Sequence, residues 1–213
     1  VGGPRFAAAR PGATHQHLAR LERLGHVHQL VTQNVDGLHQ RAGSSDVIDL
    51  HGRNDRVVCV DCGHVVSRAA YQQALIRDNP SFSPDTYSAS VALLPDGDAR
   101  VEDRDFSRFE VVPCRGCGGI VRPDVVFFGD AVPRERVQIA YERLAQADAL
   151  LVVGSSLTVY SGFRFCRAAE QAGQPIVVVN RGQTRADDIA SVKVDGDCGE
   201  TLALLERHLA EKH

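Results

Sequence analysis

The sequence contains no methionine and no tryptophan, and Lys193 and Lys212 are its only lysines. Without an initiator methionine, we expect the chain to begin inside a longer product, so a leader segment is not assessable from it. No apolar run approaches the roughly 20 residues that a membrane-spanning helix requires. The charge is nearly balanced, with 24 basic and 27 acidic side chains and a net charge of −3. These absences argue against a membrane protein and against a chain whose overall field attracts nucleic acid.

Short apolar strands and amphipathic helices alternate along most of the chain. Its 213 residues, 43% of them hydrophobic, can bury a sizeable core. Thr14 is expected to cap the first long helix. We predict apolar strands at 28–32, 47–50, 125–128, 150–153, 176–179 and 192–194, a short helical segment at 6–9, and later helices from Arg134, around Phe165 and around Leu205. This alternation predicts an α/β fold with a mainly parallel sheet covered by helices on both faces.

Residues 57–122 differ from the rest of the chain in composition and hydrophobic pattern, and they are predicted to form a small domain. This domain would interrupt a large one made of residues 1–56 and 123–213. Short β-prone pieces surround its first cysteine pair, and Ser67 is expected to cap a helix. The stretch 78–105 is rich in Pro, Ser, Asp and Gly, which predicts a surface excursion.

Four of the six cysteines form two Cys-x-x-Cys pairs, Cys59 with Cys62 and Cys114 with Cys117. Four thiolates at this spacing are the ligand set of a structural zinc site. Because four protein ligands leave no open coordination position, we expect the ion to hold the small domain together rather than to catalyse. Disulfide bonds or redox use of the pairs are the disfavoured alternatives. In a reducing compartment such pairs favour metal, and we expect a cytoplasmic protein.

Four predicted strands are each followed at once by small or polar residues. These segments are Gln33-Asn34, Gly154-Ser155-Ser156, Asn180-Arg181-Gly182 and Asp195-Gly196-Asp197-Cys198. Since the carboxyl ends of parallel strands meet at one edge of a sheet, we expect these groups to lie together. Gly154 allows close approach to a phosphate, and Ser155 and Ser156 offer donors to its oxygens. Any one segment alone is equally typical of an ordinary turn, whereas the four together favour a nucleotide site.

His51 is the histidine, among nine, whose surroundings indicate chemistry. It follows an apolar run, precedes Gly52, and shares the chain neighbourhood of Gln33, Asn34 and Asp36. A lone histidine at such a place is more often structural than catalytic. Because Gln33, Asn34 and Asp36 are close in the sequence, we favour His51 as a general base, and the ordinary histidine pKa of roughly 6.5 suits proton transfer at neutral pH.

The segments that carry these residues resemble the sirtuin family, the NAD-dependent protein-lysine deacylases. The likeness covers nearly the whole chain. In family order, the matching segments are Thr32-Gln33-Asn34-Val35-Asp36-Gly37-Leu38-His39, Leu50-His51-Gly52, the two cysteine pairs, Pro123-Asp124-Val125-Val126-Phe127-Phe128-Gly129-Asp130, Gly154-Ser155-Ser156-Leu157 and Val179-Asn180. The forms at 126–130 and 157–162 look closest to the class II branch. That branch includes a mitochondrial member, so the mitochondrial matrix is the alternative to the cytoplasm.

The resemblance implies a Rossmann-like large domain, a small zinc domain, and a deacylation that consumes NAD. In the family reaction the acyl oxygen attacks C1′ of the nicotinamide ribose as nicotinamide leaves, which gives an alkylimidate. His51 would then activate a ribose hydroxyl to attack this intermediate, so that O-acyl-ADP-ribose and free lysine form. The alternative activity is transfer of a single ADP-ribose to protein.

The resemblance also assigns roles to residues at the strand ends. Gln33 and Asn34 would position the ribose beside His51, and Asp36 would hold the nicotinamide carboxamide. The predicted contacts to phosphates and adenosine are Gly154, Ser155, Ser156, Asn180 and Cys198, the last through its main chain. The predicted contacts to the acyl-lysine peptide are Val126, Phe127, Phe128 and Gly129, of which the first two would pair with it by backbone.

The family's Gly-Ala-Gly-x-Ser loop and the Arg-bearing loop after it have no counterpart in this sequence. Either the polypeptide is truncated there or the given sequence omits these residues. If it is truncated, we expect it to lack much of the pyrophosphate cradle and to show little or no turnover. We also expect a monomer. A non-enzyme alternative, a zinc module that binds nucleic acid, is disfavoured because the residues near the cysteines, such as Asp61 and Asp105, are acidic.

Overall fold

The computed structural model of the chain describes residues 8–82 and 105–211. In chain order its elements are α1 (Ala13–Arg23), β1 (Leu30–Thr32), α2 (Leu38–Ala42), β2 (Val47–Asp49), β3 (Gly52–Cys59), β4 (Val65–Ser67), α3 (Arg68–Asp78), β5 (Val121–Val125), α4 (Arg134–Ala145), β6 (Leu150–Val153), α5 (Tyr160–Gln171), β7 (Ile176–Val179), a 3₁₀ turn (Asp187–Ile189), β8 (Val192–Val194) and α6 (Cys198–Ala210). The predicted segment at 6–9 and the predicted excursion at 78–105 lie largely outside the described residues.

These residues divide into two compact units. The smaller unit contains residues 8–9, Val35–Gly37 and the described residues of Gly52–Val125, and the larger unit contains Arg10–Asn34, Leu38–His51 and residues 126–211. The prediction from the sequence is that residues 57–122 fold as a domain. It stays a prediction, which limited proteolysis would test.

The larger unit contains two parallel sheets. In one, β1 pairs with β2, and in the other the strand order is β6, β7, β8. β7 lies between two neighbours, and its sequence is the continuous apolar run that a doubly paired, buried strand requires. Helices alternate with these strands along the chain, so the predicted α/β fold is confirmed.

Apolar residues at helical spacing supply the core of the larger unit. Leu18 and Leu21 of α1 pack with Leu30 of β1 and Leu202 of α6. A second cluster joins Leu50, Ala140 and Phe165, and a third surrounds β7. Leu50, Leu202 and the β7 residue Val178 have no exposed surface, so substitutions that shorten them would leave cavities.

The smaller unit is built on an antiparallel sheet in the order β4, β3, β5. Ser67 caps α3 as predicted, since its Oγ accepts a hydrogen bond from the Ala70 amide at 3.2 Å. At the other end of α3, the buried side chain of Asn79 donates to the Leu75 and Glu110 carbonyls. This amide therefore ties the helix end to the segment that leads to the second cysteine pair.

Two predicted elements are wrong. The first long helix begins at Ala13 with Gly12 as its N-cap, so Thr14 lies inside the helix. The extended backbone of Gly12 and the bond from its amide to Nδ1 of His15 replace a side-chain cap. Residues 126–128 are not a strand. The strand in this region is β5, which ends at Val125 and pairs with β3 in the antiparallel sheet.

None of the helices in the described part of the chain combines the length and the apolar character that crossing a bilayer demands.

Glu206 links α6 to α1. Its carboxylate contacts Nδ1 of His17 at 2.6 Å and Nε of Arg20 at 2.8 Å. The hydrogen bond from His17, and then that from Arg20, lower the pKa of Glu206 below its ordinary value of 4.5. A carboxyl whose pKa is lowered by folding stabilises the protein above its ordinary pKa, and this contribution is lost as the pH falls through the lowered value.

We therefore expect Glu206→Gln to destabilise the protein by about 1 kcal/mol at pH 7. The deficit relative to wild type should disappear when the pH falls below the lowered pKa of Glu206. Urea unfolding at several pH values measures both quantities. Glu142→Gln is the control, because the exposed Glu142 accepts a hydrogen bond from the neutral Gln138 amide and Gln keeps that acceptor. A deficit that is independent of pH would contradict the ionic contribution.

Candidate functional site

The His51 imidazole is fixed at the end of β2. The preceding residue, Leu50, is fully buried, and its amide donates to the Thr32 carbonyl at 2.9 Å, which extends the pairing of β1 with β2. Nδ1 of His51 lies 3.0 Å from the backbone oxygen of Gln33. Because a carbonyl only accepts, Nδ1 carries the proton and Nε2 is left as the acceptor.

Burial lowers the pKa of His51 below its ordinary value of 6.5. The Gln33 carbonyl opposes this effect, and the positive charge of Arg164 adds to it. The imidazole is therefore neutral at pH 7, with a basic Nε2. This is the protonation state that a general base needs before it accepts a proton.

The Gln33 side chain joins His51 to the loop after β6. Ser161 Oγ lies 2.7 Å from Nε2 of His51, and Nε2 of Gln33 donates to the same Oγ at 3.3 Å. At its other end, Oε1 of Gln33 accepts from Ser155 Oγ at 3.2 Å. Asn34, next to Gln33, has an exposed side chain, and its backbone amide donates to Oγ1 of Thr32. The structure thus brings Gln33, His51 and Ser155 into one cluster.

The loop after β6 has a left-handed backbone at two positions. Gly154 has a φ of 62°, which favours glycine, and its amide donates to the Val179 carbonyl at 2.9 Å. Leu157 has a φ of 56°, which is uncommon for a residue with a side chain. Its buried side chain packs in the core around β7, and its amide donates to Ser155 Oγ at 3.2 Å. The packing of Leu157 and the hydrogen bond of its amide therefore hold this loop in a strained backbone conformation.

The ends of β6, β7 and β8 meet at Gly154, Asn180 and Cys198. A Cβ placed on Gly154 would lie 3.6 Å from Cys198 Sγ, and that thiol donates to the Val179 carbonyl at 3.4 Å. The Asn180 side-chain amide donates to the Arg181 carbonyl at 2.7 Å. Burial raises the pKa of the Cys198 thiol above its ordinary value of 9.0, which favours the neutral thiol over the thiolate.

The four cysteines of the smaller unit form a compact cluster. Cys59 Sγ lies 3.5 Å from Cys117 Sγ, Cys62 Sγ lies 3.7 Å from Cys114 Sγ, and all four sulfurs lie within 4.8 Å of one another. Tetrahedral zinc with bonds of about 2.3 Å separates its sulfur ligands by roughly 3.8 Å. The geometry and donor set fit one structural zinc ion.

Comparison with known proteins agrees with this geometry. A model of the Sir2 family matches residues 4–161. An NAD-dependent protein deacetylase of Xanthomonas campestris pv. campestris (strain 8004) is 54% identical over 207 residues, 97% of this chain and 69% of that protein. One of Bordetella bronchiseptica is 54% identical over 203 residues, 95% of this chain and 73% of that protein. This chain belongs to the Sir2 family.

A solved structure of Sir2 with a p53 peptide and NAD⁺ has the same fold. Its TM-score with this chain is 0.73 and its sequence identity is 29%, with 97% of this chain and 73% of that chain covered. The Rossmann-like α/β architecture expected from the resemblance is thereby confirmed.

The segment predicted to bind peptide begins beside His51. The Val126 amide donates to the His51 carbonyl at 2.9 Å, and the Asp130 amide donates to the Phe127 carbonyl at 3.0 Å. Two of the backbone groups of this segment are therefore already bonded within the chain. Phe128 is fully exposed, and Gly129 has a φ of 91° in the turn that follows.

The remaining predicted residues fall in different places. Ser156 is exposed in the loop after β6, and its Oγ contacts Oγ1 of Thr158 at 3.0 Å. Asp36 belongs to the smaller unit, whereas the other predicted nucleotide contacts belong to the larger one.

Sequence reasoning gave no role to Ser161 and Gly162, at the start of α5. Ser161 is buried and contacts His51, and Gly162 is buried against the Gln33 side chain. A Cβ on Gly162 would lie 2.7 Å from Oε1 of Gln33 and 3.0 Å from its Nε2. The only sequence signal was a Ser-Gly pair at a helix start inside a segment that matched the Sir2 family.

We expect Gly162→Ala to lower activity without loss of stability. The new methyl group would displace the flexible end of Gln33, and a misplacement of about 1 Å near the reacting groups can cost on the order of 100-fold in rate. Replacing a helical glycine with alanine stabilises by about 0.5–1 kcal/mol, which offsets the cost of moving Gln33. Turnover and thermal unfolding of the complete gene product measure the two effects.

Gly12→Ala is the matched control, because among the described residues a Cβ at Gly12 would meet His15 at an ordinary contact distance of 3.9 Å. Its turnover should equal that of the wild type. A Gly162→Ala protein with wild-type turnover would show that the position of the Gln33 amide does not matter.

Proposed function

We infer that the chain is an NAD-dependent protein deacetylase, which transfers the acyl group of a substrate lysine to ADP-ribose and releases nicotinamide. The observation that carries this inference is the neutral His51 imidazole, with its basic Nε2 held beside Gln33 and the Ser155 loop. The Sir2 relatives from Xanthomonas and Bordetella bear this name, which favours deacetylation over ADP-ribosyl transfer to protein.

In the proposed reaction, each residue of the cluster acts on a bound substrate. NAD supplies the ribose carbon that the acyl oxygen attacks, and nicotinamide leaves with the electron pair of its bond to that carbon. Gln33 and Asn34 orient the ribose with their amides. Nε2 of His51 then takes the proton of a ribose hydroxyl as this oxygen attacks the acyl carbon. The lysine amine leaves this carbon with a proton, and a water molecule adds to the carbon and breaks its bond to the C1′ oxygen, so that the acyl group stays on the ribose hydroxyl.

Other groups of the chain hold the remainder of NAD. Gly154, Ser155 and Ser156 offer backbone and hydroxyl donors to the phosphates, next to a helix start, α5, that has no side-chain cap. Asn180 and the main chain of Cys198 contact the adenosine part. Asp36 binds the carboxamide of nicotinamide. Zinc holds the smaller unit together and takes no part in the chemistry.

The acyl-lysine peptide is proposed to bind as an extended strand. The backbone of Val126 and Phe127 pairs with it, with the Phe127 amide as a donor, because the Val126 amide and the Phe127 carbonyl are bonded within the chain. The exposed Phe127 and Phe128 side chains and the turn at Gly129 flank this strand. Replacing Phe127 with proline would remove the amide donor and should raise the KM for peptide more than it lowers kcat.

We propose a cytoplasmic location, because the relatives reported above are bacterial proteins. Fractionation of the source cells tests this, with membrane and soluble fractions compared by immunoblot. A monomer without affinity for nucleic acid is tested by sedimentation of the purified protein alone and with duplex DNA.

The activity is tested with the complete gene product, NAD and an acetyl-lysine peptide. We expect release of nicotinamide that depends on the peptide, together with O-acetyl-ADP-ribose at the same rate, as measured by mass spectrometry. ADP-ribose attached to protein, without deacetylated peptide, would favour the alternative activity. Absence of any nicotinamide release, with or without the peptide, would refute both.

A further inference from the structure

A continuous series of hydrogen bonds connects the loop after β6 with the predicted base. It contains Leu157, Ser155, Gln33, Ser161 and His51, all of which belong to the larger unit. Its contacts join segments that are far apart in the sequence, since 110 positions separate Ser161 from His51. Ser161 is the member that contacts Nε2, the atom assigned to proton transfer.

Only one set of donor directions satisfies every member of this series. The Leu157 amide donates to Ser155 Oγ, whose hydroxyl donates to Oε1 of Gln33. The Gln33 amide nitrogen has hydrogens only to donate, so Ser161 Oγ accepts from it. Ser161 has one hydroxyl proton, and Nε2 of His51 has one lone pair because Nδ1 carries the ring proton. The Ser161 hydroxyl therefore donates to Nε2.

The surroundings of Ser161 make this direction stable. Its side chain is buried, with 7% of its surface exposed, so water does not compete for the hydroxyl. Ser161 lies in the first turn of α5, and the helix fixes the direction of its Cβ. Each bond in a directed series polarises the next, which strengthens the donor that faces Nε2.

We propose that Ser161 is a positioning residue for the deacylation reaction, and that its hydroxyl holds Nε2 of His51 unprotonated and correctly oriented for the ribose hydroxyl. This inference rests on the proposed function. In the reaction the ribose hydroxyl replaces the Ser161 hydroxyl on the Nε2 lone pair, and its proton passes to Nε2. The Ser161 hydroxyl keeps its bond from Gln33 throughout.

The two chemical stages of the reaction separate this role from a merely structural one. Cleavage of NAD precedes proton transfer to His51, so exchange of labelled nicotinamide into NAD reports the first stage alone. Formation of O-acetyl-ADP-ribose requires both stages. We expect Ser161→Ala to lower product formation about tenfold or more and to leave nicotinamide exchange within about twofold of the wild type.

Two further variants sharpen the assay. Ser161→Thr retains the hydroxyl and should recover most of the lost product formation. Ser191→Ala removes a serine hydroxyl that accepts from the Ile176 amide, away from the cluster, and should leave both rates unchanged. An equal fall of exchange and product formation in Ser161→Ala, an increase in either rate, or wild-type product formation would overturn the proposal.

A measurement that needs no turnover tests the contact itself. In protein labelled with ¹⁵N-histidine, His51 is assigned by the loss of its resonances in His51→Ala. We expect Ser161→Ala to move the Nε2 resonance downfield, since this nitrogen loses a donor, and to leave the Nδ1 resonance nearly unchanged. An unmoved Nε2 resonance would overturn the proposal. If the Nε2 resonance moves as expected in Ser161→Ala but the wild-type protein forms no product, the proposed function alone is refuted.

Discussion

Replacing His51 with alanine is expected to reduce the formation of O-acetyl-ADP-ribose by about 10²- to 10⁴-fold, the usual contribution of a general base. The imidazole is neutral because burial lowers its pKa, and its Nε2 is the acceptor because Nδ1 donates to the Gln33 carbonyl. Without this acceptor, the ribose hydroxyl has no group to take its proton. The change should be measured under saturating NAD and peptide, so that binding does not limit the rate.

The fold should tolerate His51→Ala. His51 is only half-buried, and the core around β2 depends on Leu50, so the melting temperature is expected to stay within a few degrees of the wild type. His28→Ala is the matched control, because His28 is an exposed histidine that contacts the Gln146 side chain, and its turnover should be normal. Product formation by His51→Ala at the wild-type rate would exclude His51 from the mechanism.

We expect the same residue to set the pH dependence of the wild type. A base acts only when it is unprotonated, so product formation is lost as the pH falls through the pKa of His51. Since burial lowers this pKa, the acid limb should lie below 6.5, the ordinary pKa of histidine. An acid limb above 6.5 would contradict the assignment.

Removal of zinc is the second change for which we expect a large effect. Apparent binding free energies for structural zinc in small peptides are about 10–16 kcal/mol, and such energy is folding energy when the site forms only in the folded state. The four sulfurs lie on segments before and after β4 and α3, so the ion closes the smaller unit on itself. A chelator, or Cys114→Ser, should therefore unfold that unit.

Hydrogen exchange measured residue by residue distinguishes local from global unfolding. The amides of β3, β4 and β5 should lose protection when zinc is removed, whereas those of β6, β7 and β8 should keep it. Metal analysis should find one zinc per chain in the wild type and in the control Cys166→Ala, because Cys166 is buried in the core around β7. Unchanged protection of β3 in the chelated protein would contradict the structural role of zinc.

The local sequence predicted the strands and helices of the larger unit well where the burial of apolar residues was enough to define them. The strands at 150–153, 176–179 and 192–194 and the start of α4 at Arg134 are observed as predicted. β6 and β7 are apolar runs with polar or small residues at their ends, so burial defines them, whereas in β8 Lys193 separates two valines. The run at 125–128 was assigned wrongly, because apolar character does not reveal which partner strand supplies the hydrogen bonds.

The sequence by itself indicated the four cysteines of the zinc cluster, the order of strands and helices, and His51 as the candidate base among nine histidines. These depend on residue type and on spacing along the chain. Only the tertiary structure decided which nitrogen of His51 carries the proton, that Ser161 faces the other nitrogen, and that Gly162 leaves room for Gln33. The physical reason is that hydrogen-bond direction and clearance depend on distances of a few ångströms between segments remote in the chain, about which local periodicity carries no information.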